Sequence, residues 1–185
     1  MKRPIRWLAL AVLGLATGCE PRWALSELVG GSDIERTIRR AETVRMWRLA
    51  ENPPTKDSPQ GASEALASLE MRYLSLGEGV KFESDQAKKI RALLLNKSSY
   101  LRGKFPKDTA FASNMCLFDP IVRIRFEAPP AVADAWVCFA CAEVAFAAGG
   151  RTASPEDCSP AIREILALVK TVLPDDPVIA KIRMR

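Results

Sequence analysis

The stretch 122–137 constrains the fold more than any other part of the chain. Val122, Ile124 and Phe126 alternate with Arg123 and Arg125, the period-two pattern of a strand with one buried face. Ala128-Pro129-Pro130-Ala131 interrupts that pattern, and a second run rich in Val, Phe and Trp covers 132–146, read here as one long strand. Folding the second run back across the prolines sets Val122 opposite Val137, Ile124 opposite Ala135 and Phe126 opposite Ala133 on one apolar side. On the other side Arg125 meets Asp134 as an ion pair and Arg123 meets Trp136 as a cation–π contact. A slip of one residue would set Ile124 against Asp134, so the pattern selects its own register.

Around this hairpin the chain alternates between helical and extended patterns. Ser32 and Glu35 have the spacing of a capping box, opening a helix that runs to about residue 40. Residues 42–50 read as a strand, and 52–63, with Pro53, Pro54, Pro59 and Gly61, read as a loop. Residues 69–82 read as β, broken by a bulge or turn at Gly77-Glu78-Gly79. Ser84 or Asp85 caps a helix whose apolar positions are Ala87, Ile90, Leu93 and Leu94 and which stops near Asn96. Residues 98–113 read as a connection. Ser159-Pro160 then opens a helix carrying Ile162, Ile165, Leu166, Val169, Val172 and Leu173 on one stripe, suited to covering the apolar face of the sheet. Pro174 ends it, and 177–182 adds a short turn. The fold class expected is α+β: a small antiparallel sheet with a central hairpin and helices packed on one face.

The N-terminus has three parts in order: basic residues Lys2, Arg3 and Arg6, an apolar run over 7–15, and Ala16-Thr17-Gly18-Cys19. The apolar run is short for a membrane span and suits a secretory signal. Small residues directly before a cysteine resemble the lipobox of bacterial lipoproteins, with Ala16 standing where that family usually has Leu. The resemblance implies that 1–18 is a signal peptide, that Cys19 is acylated and becomes the first residue, and that the protein is held at the bacterial cell envelope by those acyl chains, facing the periplasm or the exterior. The same residues also fit an ordinary cleaved signal or an uncut N-terminal anchor. On the lipoprotein reading 19–31 is a tether and 32–185 a single domain. Loss of the three basic leader residues leaves 24 Lys and Arg against 22 Asp and Glu, so the basic balance of the precursor lies mostly in the leader. No basic run with interleaved aromatics remains, which argues against nucleic acid as a partner.

Four cysteines then belong to the domain: Cys116, Cys138, Cys141 and Cys158. An even number in an exported chain favours two disulfides. In a continuous strand Cys138 and Cys141 point to opposite faces and do not bridge each other. Cys116 shares the face of Cys141, and a bend at Asp119-Pro120 would bring the two together, leaving Cys158 for Cys138. Two alternatives use the same residues. The spacing of Cys138-Phe139-Ala140-Cys141 is that of a thiol-redox motif, and the four thiols together have the makings of a structural zinc site.

The order Cys116-Leu-Phe-Asp-Pro, then Trp136-Val-Cys-Phe-Ala-Cys-Ala-Glu143, then a helix before Leu173-Pro-Asp-Asp resembles a group of uncharacterised bacterial proteins with a Cys-x-x-x-Pro turn and a Cys-Phe-x-Cys strand. That likeness covers the C-terminal third to two-fifths of the chain and implies an α+β fold, with no activity attached. His is absent, which removes the usual catalytic triads and Cys/His metal patterns. No G-x-S-x-G elbow or phosphate-binding glycine loop occurs. Asp175 and Asp176 read as turn formers rather than metal ligands, and Asp134 as the partner of Arg125 rather than half of a carboxylate pair with Glu143 or Asp157. Trp23 and Trp47 are interface contacts or buried rings. The sequence thus points to a non-enzymatic binding or structural module with no cofactor, partnered by the membrane and by a protein or small molecule it does not identify. The alternative is an envelope thiol-redox or structural zinc protein built on Cys138 and Cys141.

Overall fold

The computed structural model describes residues 23–51, 69–101 and 117–184. Their elements run α1 (Leu25–Leu28), α2 (Ser32–Arg40), β1 (Thr43–Glu51), α3 (Leu69–Arg72), β2 (Tyr73–Lys81), α4 (Ser84–Leu94), a 3-10 turn (Lys97–Ser99), β3 (Val122–Ala128), β4 (Ala131–Cys138), β5 (Glu143–Ala148), β6 (Arg151–Thr152), β7 (Glu156–Asp157), α5 (Ser159–Val172) and α6 (Pro177–Lys181). The fold is α+β. Its seven strands form one antiparallel sheet in the order β2-β1-β3-β4-β5-β6, with β7 also paired to β5.

The β3–β4 hairpin has the register that the alternation selects, from Val122↔Val137 through Arg125↔Asp134 to Ala128↔Ala131. Its apolar side joins Val44 and Met46 of β1 and Val144 and Phe146 of β5 in one core with the helices. Ile34 and Ile38 of α2, Ile90 and Leu94 of α4, and Ile162, Ile165, Leu166, Val169 and Val172 of α5 close that core. One short helix departs from this layer: Leu69 of α3 belongs to a smaller cluster on the second face, with Leu49, Tyr73, Trp136 and Ala145.

Several expectations are corrected. The run 132–146 is two strands, because the chain turns at 139–142 and β5 returns along β4. One strand of that length would extend about 50 Å, and every residue of β4 from Ala133 to Cys138 is buried, so no polar alternation marks the break. Leu69 to Arg72 is a helical turn, and the strand starts at Tyr73. The bulge is present: the β1–β2 register jumps between Met46↔Val80 and Arg48↔Leu76, leaving Gly77-Glu78-Gly79 opposite Trp47. Gly79 has φ +78°, and a Cβ there would stand 2.2 Å from the Trp47 ring, so the position needs glycine twice over. Helix α2 has Gly31 at its N-cap, and Glu35 accepts from Arg39 at 2.7 Å instead of closing a box with Ser32. A capping box does form one helix later. At α4 it is Glu83, not Ser84 or Asp85, that caps, its backbone N–H donating to Gln86 Oε1 at 2.9 Å. The core also takes in residues before Ser32: Leu25, Leu28 and Val29 are buried in it.

Ile165 is fully buried at the centre of the α5 stripe. Ile165→Ala is expected to lower the unfolding free energy by about 2–5 kcal/mol, measured by urea titration. An unchanged midpoint would mean that α5 does not seal the core.

Candidate functional site

The residues singled out for chemistry meet at one corner, where β4 turns into β5 and α5 begins. Cys19 and Cys116 lie outside the described residues. Cys138, the last residue of β4, is fully buried, and its Sγ accepts the backbone N–H of Cys141 at 3.4 Å. Against its burial, the backbone N–H groups of Cys141, Asp119 and Ala140 hold the pKa of that thiol down. Ala142 completes the turn at φ +55°, and its carbonyl accepts the backbone N–H of Cys158 at 2.8 Å. Cys158 is the N-cap of α5 and equally buried, with Asp157 Oδ1 receiving the N–H of Ser159 at 2.8 Å.

Cys138 and Cys158 are free thiols, so the bridge expected between them is not formed. The reason is the strand that the sequence reading did not separate. Cys138 pairs with Glu143, and Glu143 pairs with Asp157, so β5 lies between. Two strand spacings are about 10 Å, well past the span of a disulfide. The two thiols also belong to different sides of the sheet. Cys138 follows Asp134 and Trp136 in the alternation of β4, whereas Cys158 packs in the core under the helices. Cys141 is not one of the free thiols, and its Sγ lies 3.3 Å from the carbonyl oxygen of Leu117.

Electrostatics at the corner favours neutral sulfur. Burial raises the Cys138 thiol above its ordinary value, with Glu143 adding to the rise against the three backbone N–H groups. Burial pushes Cys158 much further up, reinforced by the carboxylates of Asp157 and Glu143 and by Cys138. Glu143 is itself raised, by burial and by Asp157. A thiol of this kind is a poor nucleophile. Among the described residues no group of three or more Cys, Asp or Glu is placed to hold a metal ion.

The second face of the sheet carries the other polar constellation. Arg125 grips Asp134 with both donors, Nε to Oδ1 and Nη2 to Oδ2, each at 2.9 Å. The Arg123 guanidinium lies 5.6 Å from the Trp136 ring centroid and 4.9 Å from that of Trp47, with Nε 3.9 Å from Asp134 Oδ1. The sequence pattern predicts the Arg123–Trp136 and Arg125–Asp134 contacts. It misses Trp47, whose place depends on the β2 bulge, and the only signal available was the Gly-x-Gly spacing. Asp176, read as a turn former, caps α6 by accepting from Val178 and Ile179 at 2.9 and 3.0 Å and pairs with Arg48 at 3.4 Å. The chain matches no family model, no curated protein and no solved structure.

The raised thiols make the fold sensitive to alkali. Their stabilisation is complete below about pH 8.5, the value of an unfolded cysteine, and is lost as pH rises past it because the unfolded chain then releases protons that the native chain retains. The urea midpoint is therefore expected to fall between about pH 8.5 and 10, and Cys158→Ala to flatten that slope. A wild-type slope equal to that of the variant would remove the burial argument.

Proposed function

We propose that the chain is a lipid-anchored protein of the bacterial cell envelope, its domain a non-enzymatic binding or structural module facing the periplasm or the exterior. The observation that carries this reading is the junction after the lipobox-like residues. Ala16-Thr17-Gly18-Cys19 precedes the first helix by five residues, and Leu25 of that helix is already buried. Cleavage before Cys19 would thus remove the leader and nothing of the described fold. More than one acyl chain on Cys19 would give stable anchoring where a single chain gives only marginal binding. The two buried, neutral thiols favour this reading over a thiol-redox enzyme at Cys138 and Cys141.

A disulfide between Cys116 and Cys141 belongs to the same proposal. Leu117 follows Cys116 directly, and its carbonyl touches Cys141 Sγ. Pro120 is buried and precedes the start of β3, so 117–120 is free of the ladder and can bend toward the turn.

Growth with a clickable fatty acid is expected to label the wild type and not Cys19→Ala; an unlabelled wild type would sink the anchor. Mass spectrometry of a non-reduced digest is expected to show Cys116 linked to Cys141, with Cys138 and Cys158 alkylated only after unfolding. A Cys138–Cys141 link would contradict the pairing.

A further inference from the structure

We propose that the end of the domain bearing Trp23 and Lys97 rests on the phospholipid headgroups of the bilayer that holds Cys19, an inference that depends on the lipoprotein reading above. The argument is one of length. Only Glu20, Pro21 and Arg22 separate Cys19 from Trp23. Four residue steps span at most about 14 Å when fully extended, whereas a domain of this size is about 30–40 Å across. A tether reaching to residue 31 would have let the domain stand clear of the membrane, and the burial of Leu25, Leu28 and Val29 removes that slack. The acylated residue sits at the bilayer surface, so the surface surrounding Trp23 is held there too.

The chemistry of that surface suits the place. Trp23 is half-buried, packed against the main core, and Lys97 Nζ lies 5.5 Å from its ring centroid. Lys97 begins the 3-10 turn after α4 and is exposed, as are Asn96, whose side chain accepts the N–H of Ser98, and Ser98 itself. An amphipathic indole and an ammonium group side by side match the level where hydrocarbon gives way to phosphate. The turn is fixed from behind by Tyr100, which is buried and donates its hydroxyl to the carbonyl of Leu94 at 2.8 Å. The pair is therefore presented on a rigid support. With the mature chain carrying only two more basic than acidic side chains, this contact arises from the short leash rather than from long-range attraction.

Acylated protein labelled with 5-fluorotryptophan and placed in nanodiscs containing anionic lipid tests the proposal. Three fluorine resonances remain once the leader has gone, from Trp23, Trp47 and Trp136. A gadolinium-chelating lipid is expected to broaden the Trp23 resonance and to leave those of Trp47 and Trp136 sharp. Lys97→Glu is expected to reduce the Trp23 broadening about twofold or more without releasing the protein from the discs. Protein that enters the discs with Trp23 unbroadened, or with all three resonances broadened alike, would overturn the surface contact and leave the anchor standing, with that end of the domain free for another partner. Protein that never enters the discs would overturn the anchor and the contact together.

Discussion

Asp134 sits in the middle of the sheet at 5% exposure, with both carboxylate oxygens on the guanidinium of Arg125 at 2.9 Å. A carboxylate so little hydrated is tolerable only while its partner is in place, since burial of an unpaired charge costs several kcal/mol. That requirement fixes β3 against β4 at one register, and the fixed register aligns Val122, Ile124 and Phe126 with Val137, Ala135 and Ala133 on the opposite side. The remaining strands add to this pair. Strand β1 joins β3 through Val44↔Phe126 and Met46↔Ile124, and β5 joins β4 through Val137↔Val144 and Ala135↔Phe146, so the apolar surface widens without changing face. The helices cover that surface with Ile34 and Ile38 of α2, Ile90 and Leu94 of α4 and the stripe from Ile162 to Val172 of α5.

On the second face the problem is reversed, since one carboxylate faces two guanidinium groups. Arg123 approaches Asp134 only to 3.9 Å, and the faces of Trp47 and Trp136 supply much of its environment. Trp136 is fully buried and also leans on Tyr73, ring centroids 6.4 Å apart. Trp47 can reach Arg123 because the edge strand steps aside at Gly77–Gly79 and leaves the ring lying on Gly79. The bulge does two things at once. It makes room for the indole, and it bends the outer edge of the sheet, which discourages pairing with another strand.

The parts of this architecture that were legible in the sequence share a cause: each was written as a contrast between neighbouring residues. The alternation of Ile124 and Phe126 with Arg123 and Arg125 specifies face, register and ion pair together. The stripe from Ile162 to Val172 specifies which side of α5 turns inward. Where contrast vanishes, legibility goes with it. Both faces are buried over 133–138 of β4 and 144–146 of β5, the turn at 139–142 holds no glycine or proline, and the break between the strands leaves no mark in the apolar pattern. The pairing of Cys158 with Cys138 followed from that missing turn. Caps were misplaced for a related reason. Ser32, Ser84 and Asp85 are all acceptable cap residues, yet each lies one or two positions inside a helix that starts after Gly31 or Glu83, and Glu83 closes its box locally with Gln86.

The missing turn also explains what Cys138 is for. The turn at 139–142 holds no glycine, and it places Ala142 at φ +55° at a cost of about 1 kcal/mol. The Cys141 amide in that turn is part-buried, where an unsatisfied N–H costs about 1–3 kcal/mol at most. The Cys138 sulfur meets that need: large, polarisable and adjacent, it accepts the N–H of Cys141 at 3.4 Å. With the turn held, the Ala142 carbonyl is positioned to receive the N–H of Cys158, and Cys158 starts α5 over the core. Sulfur, turn, cap and helix form one sequence of dependencies. Burial wins over the backbone N–H groups at Cys138 and keeps the sulfur a neutral thiol, which makes it a poor nucleophile.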